Sequence, residues 1–439
     1  SGPHRDLHSC PTRRSSDLGG CLIEIRSEKA RILVDMGYPL VKDGIPIQSH
    51  LFHKSGLKST PEENRDPGSE NRPEPGILPM IEGLYRWDKP AFDAVVLAKV
   101  DLDHENLLPW LHPDIPVWLS AGTKALIEQG RLFRFIPHDH DEFALFSRSR
   151  PFSIRDITFL PFQLDRTAGD LSAFEISSGS KTLQYIGDFC RYDSHTANLS
   201  PLTDQAVTQA DLLLVDGTLF DRDINHNRTE EEIEQELVSL LSEPGPFFFQ
   251  CASQNIGRLI TFYNACRNTR RQFIIDPFTA NVLHEFRKLG YSMPSPGVGS
   301  DAMHVFSPRR SEPDQTTVSG KDHRLRYSRW HVSRPQVMSM ADRICMLVRP
   351  SFLTDLRKMP ALRGGQLVFS MPAAFRATLA QKRLEHLMLA RGTTIVPLHT
   401  IGHARISDLN KLVEQLAPKK VRLVHELQPE LQKQLKDRK

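Results

Sequence analysis

The segment "AKVDLDHENLL", residues 98–108, places Lys99, Asp101, Asp103 and His104 close together. It lies after the apolar run "FDAVVLAKV" and before "PWLHPDIPVWLS". Carboxylates and an imidazole grouped on a loop are suitable ligands for a divalent cation. They also suit a charged turn, because Asp and His at strand ends commonly form turns. The same arrangement, a polar group after a buried run, recurs along the chain. Asp35 follows "RILV", Asp165 and Arg166 follow "ITFLPFQL", and Asp188 follows "TLQYIG". Asp216 follows "DLLLV", His399 and His403 lie in "TIVPLHTIGH", and His425 follows "KKVRLV". Strands of an α/β fold bring their carboxyl ends to one edge, where such residues collect into sites. Recurrence in this form favours a shared site over a series of unrelated turns.

The elements that must position these residues are short apolar runs punctuated by turns. "CLIEI", "ARILVDMG", "FDAVVLAKV", "IPVWLS", "ITFLPFQL", "LSAFEIS", "KTLQYIGD" and "DLLLVDGT" have strand length and β-branched or aromatic enrichment, with the helical pattern "AGTKALIEQGRLF" between them. The Pro-, Gly-, Glu- and Asn-rich stretch 51–79 reads as a solvated loop. After Val215 the pattern changes to alternating strands and helices, the signature of a parallel sheet covered by helices. Thr229 and Glu232 form a T-x-x-E capping box that opens the first of these helices. A polar segment, 307–335, interrupts the alternation, which resumes to the end of the chain.

Composition narrows the partners. The chain has 439 residues, 39% of them hydrophobic, enough for about two domains. With 56 basic and 53 acidic side chains, the net charge of +3 is too small to impose a nucleic-acid or membrane partner by bulk electrostatics. Cys10, Cys21, Cys190, Cys251, Cys266 and Cys345 are scattered without CxxC pairs, which points to reduced thiols in a cytoplasmic protein rather than a disulfide framework or zinc ribbon. No run approaches the roughly 18 apolar residues of a membrane span, and no signal-peptide pattern opens the chain. Residues 1–18 lack periodicity and stop abruptly where strand sequence begins; they read as a non-native or disordered tail and are set apart from the fold.

"ILVDMG", "DAVVLAKVDLDHENLLPWLHPDIPVWLSAGTKAL", "YIGDF", "LLLVDGT", "ASQNIGRL", "LHTIGHA" and "VRLVHE", in that order, resemble the motifs of metallo-β-lactamase-fold hydrolases carrying a β-CASP insert, especially the RNase J-like branch. The resemblance covers almost everything after Gly19 and implies an α/β protein: an αββα sandwich with an inserted β-CASP α/β domain. On that basis residues 19–220 form the first part of the sandwich domain, 221–365 the insert, and 366–439 the return segment.

The family's metal loop reads H-x-H-x-D-H, and a later His, an Asp and a C-terminal His complete its two-metal site. By resemblance, Asp103, His104, Asp188 and His425 stand at the second-metal positions. Lys99, Asp101 and Arg166 stand where first-metal histidines are expected. Arginine offers no lone pair, and a lysine ligates only if it loses its proton. The first metal is therefore expected to be lost, with Lys99 and Arg166 supplying positive charge beside the carboxylates. The remaining quartet suffices in number and type for one zinc or manganese ion; the alternative is a metal-free salt-bridge cluster. The resemblance also makes His403 a general acid at the scissile phosphate, places Asp216 at the acidic position after the fourth site strand, adds Asp188 to the catalytic residues, and makes Asp35 a structural aspartate. His399 is a weaker candidate, because alternation along a strand also explains it.

For partners, the resemblance implies RNA or single-stranded nucleic acid, RNA processing, no membrane and a homodimer. The residues add a basic segment, Arg309, Arg310, Lys321, Arg324, Arg326, Arg329 and Arg334, with Tyr327 and Trp330 as stacking surfaces. Ser253 and Asn255 in "ASQNIGRL" can offer a helix N-terminus to phosphate, although capping is the simpler job. "HDHDE", residues 138–142, resembles a ligand cluster but reads as a solvated turn. Two functions remain open: a divergent metal-dependent phosphodiester hydrolase, or an inactive relative kept as a nucleic-acid-binding or assembly subunit. Small-ester, thioester or lactam hydrolysis belongs to the wider superfamily, and the β-CASP-like insert argues against it by analogy.

Overall fold

A computed structural model describes residues 20–37, 41–42, 45–46, 78–79, 81–133, 140, 143–164, 170–187, 206–218, 228–297, 303–308, 326–400 and 403–424. In the first sheet, β1 (Ile23–Arg26) pairs antiparallel with β2 (Arg31–Val34). A small ribbon, β3 (Val41–Lys42) with β4 (Ile45–Pro46), follows. β2 then runs parallel to β5 (Ala94–Val96), β5 to β6 (Val117–Leu119), and β6 to β7 (Phe143–Leu145). The second sheet places β8 (Phe152–Ile154), β9 (Ile157–Leu164), β10 (Leu171–Ser178) and β11 (Lys181–Ile186) in an antiparallel meander. β12 (Leu212–Asp216) and β19 (Val421–Val424) extend that sheet in parallel.

Alternation along these strands explains the layering. Ile32, Val34, Ala94 and Val96 from the first sheet meet Phe159, Phe174, Ile176 and Leu214 from the second in one apolar layer. The intervening residues point outward, and they too are apolar. Leu33, Val95 and Val117 pack under helix Ala121–Leu132 through Leu126 and Ile127. Phe162, Ile186, Leu213 and Val215 pack under helix Ile406–Leu416 through Leu409, Leu412 and Leu416. Strands covered on both faces lose their polar alternation, which is why these segments read as continuous apolar runs. Each fully buried aliphatic or aromatic side chain contributes about 1.5–3 kcal/mol.

The second module is an all-parallel sheet in the order β15-β14-β16-β13-β17-β18. Its strands are β13 (Phe247–Gln250), β14 (Gln272–Ile275), β15 (Met303–Val305), β16 (Ile344–Leu347), β17 (Gln366–Phe369) and β18 (Thr394–Pro397). In β13, Phe247 and Phe249 face helices Glu230–Ser242, Ile256–Asn268 and Pro277–Lys288. Phe248 faces the opposite layer with Leu384 and Met388 of helix Leu379–Ala390. The Thr229 capping box forms as its sequence predicts.

The return expected from residue 366 begins later. β17 and β18 add to the parallel sheet of the second module, and the sandwich is rejoined by helix Ile406–Leu416 and β19. Both modules carry parallel strands, so the apolar runs "GQLVFSM" and "TTIVPLH" fit either sheet and only pairing assigns them; β18 lies at the sheet edge and is partly exposed. No helix among the described residues is long and apolar enough to cross a membrane.

Candidate functional site

The carboxyl ends of β2, β5, β9, β11 and β12 lie at one edge of the sandwich, where Asp35 is a junction between the sheets. Its φ of 57° is left-handed, a conformation Asp tolerates better than most residues. Oδ1 accepts from the Ala98 amide at 2.8 Å. Oδ2 accepts from the Tyr185 hydroxyl at 2.6 Å and lies 2.9 Å from His104 Nδ1. The Cys21 Sγ lies 3.2 Å from the same Tyr185 oxygen, and all four side chains are buried. Burial, with the Asp35 charge beside it, pushes the Tyr185 phenol well above its ordinary value and keeps it a donor. A carboxylate facing Nδ1 makes that nitrogen the donor and places the lone pair of His104 on Nε2, the usual way a ligating histidine is oriented. The Met36 amide also donates to the His104 carbonyl at 2.7 Å, tying the Asp35 turn to the short helix Leu102–Glu105.

Lys99 is fully buried, with Nζ 3.3 Å from Oδ2 of Asp101, whose side chain is 40% exposed. A dication placed beside this ammonium would meet repulsion of about 4 kcal/mol per unit of its charge at 4 Å and an effective dielectric of about 20. The buried Lys99 ammonium therefore opposes a divalent cation placed close to it. Asp188, Arg166 and His425 lie outside the described residues, as does the side chain of Asp103. Among the described residues, Cys21, Asp35 and His104 bring donor atoms within 4.8 Å of one another, a group that could hold a metal ion. Their atoms already bond one another and Tyr185, an arrangement that also serves to hold the His104 ring in place.

The second cluster joins the modules. Asp216, at the end of β12, accepts at Oδ1 from the Thr218 amide at 3.0 Å and the Thr218 hydroxyl at 2.7 Å. Its Oδ2 lies 2.7 Å from His403 Nδ1. Asp216 is buried and the His403 side chain is 17% exposed, so the carboxylate orients an imidazole that reaches the surface. His399, at the end of β18, is hydrogen-bonded to the Ser370 backbone, and its Nδ1 is buried without a hydrogen-bond partner. Burial, then the nearby Arg258 charge, lowers its pKa to about 3. Arg258 itself is fully buried; it holds both oxygens of Glu230 and donates to the Ser370 hydroxyl.

The expected nucleic-acid residues have their own partners. Ser253 is buried, 2.6 Å from the Thr279 hydroxyl, and accepts from Arg349. Asn255 caps helix Ile256–Asn268 through the Arg258 amide, the simpler of its two roles. Arg326 donates to Asn281 at 3.0 Å and lies 3.7 Å from Glu285, while Trp330 is half-buried against the core. Arg309, Arg310, Lys321 and Arg324 lie outside the described residues. In "HDHDE", His140 is not solvated: it is buried, with its ring 5.9 Å from Phe143, because the following strand β7 draws it onto the sheet. The rest of that stretch lies outside the described residues.

Sequence reasoning missed Asp170, which precedes β10. Its φ of 55° turns the carboxylate onto the start of helix Ala121–Leu132, where Oδ2 accepts from Ser120 Oγ at 2.6 Å and the Gly122 amide at 2.7 Å. A Cβ at position 122 would overlap this carboxylate, so the contact needs glycine. The preceding "AG" signals a turn, but nothing local signals a cap supplied from 48 residues away.

Residues 77–236 match the family model described as the beta-lactamase superfamily domain. No curated protein matches the chain. Among solved structures, the chain is similar to one titled as a protein of unknown function from Enterococcus faecalis V583, with a TM-score of 0.66 and 17% identity, covering 95% of this chain and 93% of that one. At that identity the likeness shows the fold alone. The chain is thus a mixed α/β protein that carries a beta-lactamase-superfamily domain.

Proposed function

We propose that this chain is a divergent phosphodiester hydrolase of the metallo-β-lactamase type with a β-CASP-like insert, acting on RNA or single-stranded nucleic acid. The observation that carries the reading is the Asp216–His403 pair, 2.7 Å apart, formed between the sandwich and the segment returning from the second module. Asp216 holds the proton on His403 Nδ1 and stabilises the imidazolium. Protonated His403 then donates from Nε2 to the oxygen leaving phosphorus. Lys99, with Arg166, takes the place of the first metal and keeps the neighbouring carboxylates from repelling one another.

Asp103, His104, Asp188 and His425 would hold the single zinc or manganese ion in this reading, and the Asp35 contact leaves the His104 ring in a suitable tautomer. Such an ion, when bound, supplies an activated water and stabilises charge on phosphorus. Arg326 and Trp330, both partly exposed, contact the strand. The test is cleavage of labelled RNA and single-stranded DNA with and without added zinc or manganese. His403→Ala is expected to lower kcat by about 100-fold to 10,000-fold, and Asp216→Asn to lower it similarly. Cleavage insensitive to both substitutions overturns the assignment.

The complete burial of Lys99 favours a second reading, an inactive relative that binds nucleic acid or a partner. Binding without cleavage under every metal condition selects it.

A further inference from the structure

We infer that Thr218 is a positioning residue for the Asp216–His403 pair, its hydroxyl fixing which carboxylate oxygen faces the imidazole. The inference deepens the proposed function and rests on that reading only for the reaction that His403 serves. Asp216 is the last residue of β12, and the chain leaves the strand through Gly217 to Thr218. Thr218 doubles back onto the carboxylate. It donates to Oδ1 from its amide at 3.0 Å and from its hydroxyl at 2.7 Å. Oδ2 is then the oxygen turned toward His403 Nδ1, 2.7 Å away. Asp216 and Thr218 are both buried, whereas the His403 side chain reaches the surface.

The hydroxyl matters because an aspartate carboxylate turns about a broad, roughly two-fold torsion that rotamer preference alone does not fix. Two donors on one oxygen set its plane. The turn that carries Thr218 is itself held by β19. The Gly217 amide donates to the Val424 carbonyl at 2.7 Å, and a Cβ at position 217 would lie 2.7 Å from the Leu423 Cβ, so this approach needs glycine. Across the pair, Ala404 is buried in the same apolar cluster as Val215 and Leu423, which anchors the backbone beside His403. Packing thus holds both backbones, Thr218 holds the carboxylate, and the carboxylate selects the proton position on the ring. When Nε2 has given up its proton, the neutral ring left behind is the Nδ1–H tautomer that Asp216 stabilises. A carboxylate free to turn would lose that selection, and the Nε2–H tautomer would fill.

Nitrogen NMR of the full-length protein with isotope-labelled histidine decides this, the His403 signals being identified by their absence in His403→Gln. With the imidazole neutral, the native ring is expected to be almost wholly the Nδ1–H tautomer. Thr218→Val keeps the branched shape and removes the hydroxyl, and should raise the Nε2–H share about tenfold, as expected for one lost hydrogen bond to a charged group. Thr218→Ala should shift it the same way, and Thr218→Ser should match the native ring. Unchanged tautomers in both hydroxyl-free variants, or an equal shift in Thr218→Ser, overturn the inference. Cleavage of labelled RNA separates this from the functional reading. In a protein that cleaves, Thr218→Val should lower kcat about tenfold with KM unchanged, and should add nothing in an Asp216→Asn background; an unchanged kcat overturns positioning for catalysis. If neither RNA nor single-stranded DNA is cleaved with zinc or manganese while the tautomer shifts, the proposed function fails and the positioning role of Thr218 stands.

Discussion

Lys99 in the sandwich and Arg258 in the second module are both fully buried cations, but their surroundings differ. Arg258 sits against Glu230, which is 1% exposed, with Ser370 completing its donors and Thr261 adding a bond to the same carboxylate. Lys99 has Asp101 as a carboxylate partner 3.3 Å away, and that partner is 40% exposed. One pair is enclosed and satisfied inside a module, as expected of a structural ion pair. The other extends from the interior to a carboxylate that water reaches. Burial alone does not describe a buried charge; the exposure of its partner differs between the two.

The comparison breaks most visibly at Arg258. Arg258→Met leaves Glu230 buried and unpaired and should cost about 3–5 kcal/mol in urea unfolding. Adding Glu230→Leu should restore much of that, and a double variant no better than the single one would mean that the arginine acts through packing. A smaller effect is expected at His399, which Arg258 helps to keep neutral. Its folded pKa of about 3 lies below the ordinary value of 6.5, so between those values the unfolded chain takes up a proton that the folded chain refuses. This neutral burial carries no proton-linked cost above pH 6.5, and stability falls as pH drops from 6.5 toward 3. Between pH 6.5 and 5 the loss should be about 2 kcal/mol at about 1.4 kcal/mol per pH unit, and His399→Phe should flatten it. An equally steep variant would assign the slope to other groups.

Next is Thr229, which caps the helix that begins at Glu230. Thr229→Ala should cost about 1 kcal/mol, and a larger loss would show that the cap also holds the Glu230–Arg258 pair in register. Least affected should be stability in Lys99→Met, changed by less than about 1 kcal/mol because Asp101 can be rehydrated. The chemical consequence at this site is separate. Lys99→His with Asp101→His and Arg166→His should raise metal content by about one ion per chain, read by elemental mass spectrometry. Unchanged content would refute replacement of the first metal by Lys99 and Arg166.

Some of this was legible in the chain itself. Most strands of both sheets and the Thr229 cap follow from apolar runs and from residues placed at their ends, whereas the Asp216–His403 and Asp35–His104 contacts join segments far apart in the chain. The sheet assignment of 366–369 and 394–397 was not legible, since a short apolar run carries no mark of the sheet it joins and only pairing assigns it. The role of His140 was hidden because an acidic, histidine-rich string resembles a solvated turn until a neighbouring strand draws one member inward.

The amino-acid sequence by itself determined the α/β class and most of the strand and helix positions. These depend on local periodicity and on side-chain chemistry, both carried by neighbouring residues. Tertiary structure alone decided that Lys99 is buried against an exposed aspartate, that Tyr185 and Cys21 stand behind Asp35, and that Asp170 and Tyr291 meet across 121 residues. Such contacts depend on which strand ends and loops the packed layers bring together, and a local pattern has no term for a partner supplied by another module.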